Sequence, residues 1–261
     1  MKALIFDCDG VLADTERDGH LPAFNQTFRE FGFPIQWSEA EYGIKLKIGG
    51  GKERMASLLT ADFVAQAGLP TDPGEQTQLI NEMHKRKSAI YKEMVIAGRL
   101  PGRPGVRRLA IDMADAGWAL AVASTSAEES VRAVLEHVVG PDLASRFLVL
   151  AGDIVPKKKP APDIYLLARE TLGILPDDGV VVEDSRNGLV AANSAELRCL
   201  VTLSGYTRDE NVAEASLVVS DLGEPDAPLE VIANRSKAEP GPCITRDDLD
   251  ALLESELPTV V

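Results

Sequence analysis

The chain has 261 residues, 45 % of them hydrophobic, and a formal net charge of -14. That length accommodates one large domain, or a core carrying a smaller inserted one, while the acidic balance excludes a protein built for bulk nucleic acid or anionic membranes. Three cysteines without a CxxC pair exclude a disulfide framework or thiolate zinc site and suit a reducing, cytoplasmic setting. No apolar run reaches the roughly 18 residues of a membrane-spanning helix, and the apolar start is too short for a signal peptide.

In chain order, Lys2 to Phe6 reads as a short buried strand, ended by Asp7-Cys8-Asp9-Gly10. From Glu16 to Gly98 the pattern turns helical. Leu21, Phe24, Phe28 and Phe31 recur near the helical period; Leu58, Leu59, Phe63 and Val64 mark a second helix, and Leu79 to Met94 a long charged one. Past the turn Pro101-Gly102-Arg103-Pro104-Gly105, strands and helices alternate. Val106 to Ala116 is helix, Trp118 to Ser124 strand, Val131 to Val139 helix and Phe147 to Ala151 strand. Asp163 to Leu172 is helix, Gly179 to Asp184 strand, Gly188 to Ala195 helix, with strands at Cys199 to Leu203 and Ser216 to Val219. Short connections between alternating elements predict a parallel α/β sheet, with the helical segment inserted after the first strand. The segment from Glu224 onward is rich in Pro and acid; Thr245 to Asp248 predicts a helix cap, with Leu249, Leu252 and Leu253 facing the body.

The charge is uneven. Glu16 to Arg99 holds 11 Lys or Arg and 11 Asp or Glu, against 16 and 30 elsewhere. This is either ordinary surface patterning or an insert that meets an anionic substrate.

Four polar clusters fall at predicted strand ends, where open parallel sheets bind ligands. Asp7-x-Asp9-Gly10-Val11-x-x-Asp14 aims two carboxylates at one crevice. Crowded like charges call for a cation or a proton, so one carboxylate suits a metal-bound nucleophile and the other an acid/base. Ser124-Thr125-Ser126 can hold a phosphoryl group by hydroxyl and amide, although alone it reads first as a helix cap. In Lys157-Lys158-Lys159-Pro160, Lys159 is the lysine expected to reach the site, with its neighbours peripheral. Glu183-Asp184-Ser185 can complete an octahedral Mg²⁺ shell of oxygen ligands; the plainer reading is a cap by Asp184 or Ser185. In the insert, Gly49-Gly50-Gly51-Lys52-Glu53-Arg54 is a glycine run with basic residues, not a P-loop. His20, His84 and His137 lack metal-ligand spacing.

These clusters, in this order, resemble the haloacid dehalogenase superfamily over Lys2 to about Asp221. The resemblance implies a Rossmann-like α/β core with a parallel sheet and an inserted α-helical cap domain that closes over the site. It makes Asp7 the nucleophile and Asp9 the acid/base, with Ser124 and the Thr125 amide on the phosphate. Lys159 becomes the family lysine. Mg²⁺ is held by Asp7, the Asp9 carbonyl and Asp184, with Glu183 nearby. Phe6 to Glu16, Gly49 to Met55 and Gly152 to Pro160 are more closely similar to the CbbY-like branch, whose members hydrolyse xylulose 1,5-bisphosphate. That likeness implies cap contacts to the sugar or distal phosphate from Glu16, His20, Lys52 and Arg54.

The expected organisation is a core of 1–15 with 99–224, a cap of 16–98, and a C-terminal extension of 225–261 on the core. The expected protein is a monomeric phosphatase of a small phosphosugar. β-Phosphoglucomutases share the core but usually place a lysine where this chain has Ala127 and Glu128. Asp9 argues against true dehalogenases, and the glycine-rich context of Lys45, Lys47 and Lys52 against phosphonate hydrolases. A catalytically silent binding protein would not need the full set of Asp7, Asp9, Lys159 and Asp184.

Overall fold

A computed structural model describes residues 1–48 and 50–256. Seven strands form one sheet: β1 (Ala3–Phe6), β2 (Ala119–Ser124), β3 (Phe147–Ala151), β4 (Gly179–Glu183), β5 (Arg198–Thr202), β6 (Leu217–Val219) and β7 (Val231–Asn234). Their order is β3-β2-β1-β4-β5-β6-β7. β1 to β6 run parallel, and β7 joins β6 antiparallel. Ala-Leu-Ile-Phe in β1 is buried on both faces, as a central parallel strand requires. The chain winds from β1 outward through β2 to β3, then returns to β4 and winds the other way. The topological switch therefore lies at the C-terminal end of β1, between β2 and β4.

Two compact units share the chain: residues 1–14 with 100–261, and residues 15–99. The divisions expected from the sequence, a second unit of 16–98, lie one residue inside this one at each end, and the segment beyond residue 224 was expected as an extension on the core. Among its described residues, that segment adds a seventh strand to the sheet, at Val231–Asn234, and a helix at Arg246–Leu253.

The 15–99 unit is helical. A π-turn at Glu16–His20 runs into α1 (Leu21–Glu30), followed by α2 (Glu39–Leu46), α3 (Gly51–Ala56), α4 (Ala61–Gln66) and α5 (Pro73–Ile96). Ser38 and Glu41 form a capping box that starts α2, and Asp72 caps α5 ahead of Pro73. The apolar stripe of α5, Ile80, Met83, Ile90 and Met94, packs toward α1. Around it Phe24, Phe28, Trp37 and Tyr42 form an aromatic core, with Phe28 edge-on to Trp37 at 4.8 Å between centroids. Asn25 fastens the Trp37 backbone by two 2.8 Å hydrogen bonds, which fixes the α1–α2 connection. The expected Leu58–Val64 helix is a turn followed by α4, because Thr60 caps at that point.

In the sheet unit follow α6 (Val106–Asp115), α7 (Glu128–Val139), α8 (Pro141–Ala144), α9 (Asp163–Leu172), α10 (Arg186–Ser194) and α11 (Arg246–Leu253). α9 and α10 cover one set of alternating strand residues: Ala3 and Ile5, Ala121 and Ala123, Val181, Cys199 and Val201. α6 packs with α7 and with α11. Thr245 and Asp248 form the capping box of α11, and its Leu249 and Leu252 are wholly buried. Each such leucine contributes about 1.5–3 kcal/mol by leaving water. Among the described residues, no helix is long and apolar enough to cross a membrane.

Candidate active site

Register delivers three strand ends to the switch point. Phe6 pairs with Val122 of β2 and Val182 of β4. Asp7 and Glu183 each follow directly, and Ser124 closes β2. Asp7 N donates to Val182 O at 2.9 Å, tying the nucleophile position to β4. Beyond Asp7 the chain turns tightly, with Leu12 N on Cys8 O at 2.9 Å and Gly10 N on Ala13 O at 2.9 Å. Gly10 has φ +78°, and a Cβ there would lie 2.0 Å from Asp184 Oδ2. The turn can press onto Asp184 only because position 10 is glycine.

Lys159 is the lysine of its run that enters the interior. Its Nζ donates to Asp7 Oδ1 at 2.7 Å, Glu183 Oε1 at 2.6 Å and Ala123 O at 3.0 Å. Three donors thus meet three acceptors. Lys158 instead pairs with Asp153 at the surface. Tyr165 Oη also donates to Glu183 Oε1, at 2.5 Å, and its ring lies 4.9 Å under the ammonium. Asp184 N donates to Glu183 Oε2 at 3.2 Å, and Thr207 Oγ1 to Asp184 Oδ2 at 3.4 Å. Gly188 leaves the room that Glu183 fills: a Cβ there would overlap its carboxyl carbon at 1.8 Å. Ser185 caps α10 by accepting from Gly188 N, so the capping role falls to Ser185 and not to Asp184.

Ser124 is buried and its Oγ accepts from Ser126 N at 3.1 Å. The run does not cap α7, whose N-cap residue is Ala127 and which begins at Glu128. Ser126 Oγ donates to Asp9 Oδ2. The carboxylate of Asp9 therefore points toward the β2 end, while Asp7, Glu183 and Asp184 bring ligand oxygens within 4.8 Å of one another.

Burial dominates the electrostatics. It pushes Asp7 up to about 7, with Glu183 and Asp9 adding and Lys159 opposing. Burial, then Glu183 and Asp7, lift Asp184 well above the ordinary carboxyl range. Lys159 is raised although burial acts against its charge, because Asp7 and Glu183 outweigh it.

The residues expected of the insert fall into three groups. Glu16 and Arg54 meet through Tyr42: Tyr42 Oη donates to Glu16 Oε2 at 2.5 Å and accepts from Arg54 Nη1 at 3.2 Å. Arg54 Nε donates to Ile48 O at 3.0 Å, and the Arg54–Glu16 ion pair spans 3.9 Å. Half-buried His20 faces the buried Lys87, with Nδ1 2.8 Å from Nζ, and its ring lies 4.0 Å from that of Tyr91. Burial first, then Lys87, lowers the His20 pKa well below its ordinary value; the neutral ring accepts at Nδ1 and carries its proton on Nε2. Lys52 stands apart, lining a cavity of about 450 Å³ with Glu53, Ala56, Ile80 and Asn81. Both Lys52 and Arg54 are on α3, not in a loop, since the helix starts at Gly51. Gly49 of the glycine run lies outside the described residues.

The profile of the haloacid dehalogenase-like hydrolases matches residues 1–196. The chain belongs to that family. A CBBY-like protein of Arabidopsis thaliana is 46 % identical over 224 residues, 86 % of this chain and 70 % of that one. The crystal structure of CbbY from Rhodobacter sphaeroides in complex with phosphate superposes with a TM-score of 0.68 at 37 % identity, covering 85 % of this chain and 94 % of that one. A mutant of the same CbbY, in complex with xylulose 1,5-bisphosphate, gives 0.67 at 36 %, with the same coverage. Within the haloacid dehalogenase-like family the chain falls in the CbbY-like branch, with a helical insertion of the cap type, and it is a phosphatase.

The donor set fits the Mg²⁺ such phosphatases use. Asp7, Glu183 and Asp184 are all buried and offer only oxygen. Three carboxylates beside the one ammonium of Lys159 leave two negative charges, which a divalent cation balances. The raised carboxyls express the same imbalance. Sequence reasoning assigned no role to Ser126, Tyr165 or Tyr42. Ser126 lay in the hydroxyl run it singled out; the tyrosines carry no local signal, since each meets its carboxylate only through tertiary packing.

Proposed function

We propose that this protein removes a phosphoryl group from a phosphorylated sugar, converting xylulose 1,5-bisphosphate to xylulose 5-phosphate. The observation that carries the reaction type is the buried Lys159 shared between Asp7 and Glu183, beside Asp184. The substrate rests on likeness to CbbY, one structure of which holds that bisphosphate.

Asp7 is the nucleophile. One of its carboxylate oxygens attacks phosphorus, the bond from phosphorus to the sugar oxygen breaks, and a phospho-aspartate forms. Protonated Asp9 gives its proton to the departing oxygen; as carboxylate it then takes a proton from the water that attacks phosphorus, freeing phosphate and Asp7. Ser126 orients Asp9 for both transfers by donating to Oδ2. Lys159 favours the ionised, attacking form of Asp7 and sets its positive charge beside the phosphoryl group, whose oxygens the Ser124 hydroxyl and Thr125 amide hold. Asp7, the Asp9 carbonyl and Asp184, with Glu183 behind, would hold Mg²⁺, which would offset the charge of nucleophile and phosphoryl group.

The helical unit supplies the sugar and distal-phosphate contacts: Glu16 for hydroxyls, Arg54 and Lys52 for phosphate, His20 through its Nε2 proton. An arginine fork already steadied by Tyr42 and Ile48 is suited to a phosphate.

Borohydride trapping tests the intermediate. Quenching the enzyme during turnover of the bisphosphate, then reducing, should mark Asp7 in peptide mass spectra. Phosphate release with no reduced Asp7 would rule out the covalent route.

A further inference from the structure

Gly102 bridges antiparallel to Ala13, and Arg103 N donates to Leu12 O at 2.9 Å, so this segment lines the far side of the turn after β1. The guanidinium of Arg103 reaches across the strand ends. Nη1 donates to Gly10 O, to Thr202 O at 3.0 Å and to Thr202 Oγ1 at 3.1 Å. Nη2 donates to Leu203 O at 2.8 Å and Ser220 O at 2.7 Å. One planar fork thereby joins the catalytic turn to the ends of β5 and β6, a geometry an ammonium cannot reproduce. The carbonyl it holds belongs to Gly10, which packs against Asp184 so closely that a Cβ there would lie 2.0 Å from Oδ2.

We propose that Arg103 is a positioning residue for the metal-dependent step. It seats Gly10 against Asp184 and so sets the spacing between Asp7, on one side of that contact, and Asp184 on the other. It does this through backbone carbonyls, without being one of the carboxylates itself. The inference rests on the phosphatase reading, which makes Asp7 and Asp184 ligands of one cation.

The test is Mg²⁺ binding to the whole protein without substrate, by calorimetry, for wild type, Arg103→Ala and Arg103→Lys, with melting temperatures alongside. Arg103→Ala should bind Mg²⁺ about 10–100-fold more weakly, the usual effect of losing an outer-shell support. Its kcat should fall with KM for the sugar phosphate little changed, and millimolar guanidinium chloride should restore part of both losses. Arg103→Lys, which keeps the charge and loses the fork, should also bind Mg²⁺ more weakly; it decides the matter if the alanine variant does not fold. Wild-type Mg²⁺ affinity in either folded variant, with only the melting temperature lowered, would overturn the inference. No Mg²⁺ binding by wild type would instead sink the phosphatase reading on which it rests.

Discussion

Lys159 Nζ sits 2.7 Å from Asp7 Oδ1 and 2.6 Å from Glu183 Oε1, with only 9 % of the lysine side chain exposed. One ammonium thus serves the nucleophile and its neighbour together. Replacing Lys159 by Met leaves those buried carboxylates unpaired, at a cost of about 3–5 kcal/mol in stability. Removing its charge from the phosphoryl group should also lower kcat by roughly 10²–10³-fold. Chemical denaturation and steady-state kinetics on the variant check both; a variant as stable and as fast as wild type would remove Lys159 from the account.

The metal-free protein should grow less stable as pH rises. Asp7 is raised by burial from 3.8 to about 7 in the folded chain. The folded state therefore holds a proton that the unfolded state releases. The resulting stability is fully present below about pH 3.8 and is lost as pH rises through about 7. Asp184, raised by the same causes, adds in the same direction. Lys159 is itself raised and stays charged throughout this window. In chelator, the melting temperature should fall between about pH 5 and pH 8, and Mg²⁺ should recover more at the higher pH. Asp7→Asn should flatten the dependence while abolishing turnover. A flat profile in the wild type would contradict the buried charge imbalance.

Arg54→Ala should lower kcat/KM for a sugar bisphosphate by about 10–100-fold, the worth of a charged hydrogen bond. A monophosphate lacking the distal group should be affected far less. Tyr42→Phe removes the link between Glu16 and Arg54 and should weaken bisphosphate binding in the same sense, at a stability cost of about 0.5–1.5 kcal/mol. Equal losses on both substrates would argue against a distal-phosphate role for the pair.

The six parallel strands were legible because buried parallel strands are near-continuous apolar runs between turn residues. β7 was not legible: Val231 and Ile232 are 42 % and 49 % exposed and sit in a Pro-rich acidic stretch that reads as tail. The carboxylates at β1 and β4 were readable because strand ends are chemically distinctive. The contacts that orient them were not. Tyr165 lies on α9, Ser126 beyond β2 and Arg103 past the insert, and each reaches its partner over a long stretch of chain. Lys52 and Arg54 are two residues apart on α3, yet the short helix sends them to different surroundings. The glycine run alone did not reveal that α3 begins within it.

The most direct measurement is product analysis with Mg²⁺, with xylulose 1,5-bisphosphate and β-glucose 1-phosphate offered in parallel. The first should give free phosphate and xylulose 5-phosphate, at a far higher kcat/KM than any reaction of the second. Glucose 6-phosphate from the second, with little phosphate released from either, would contradict it and make the protein a mutase.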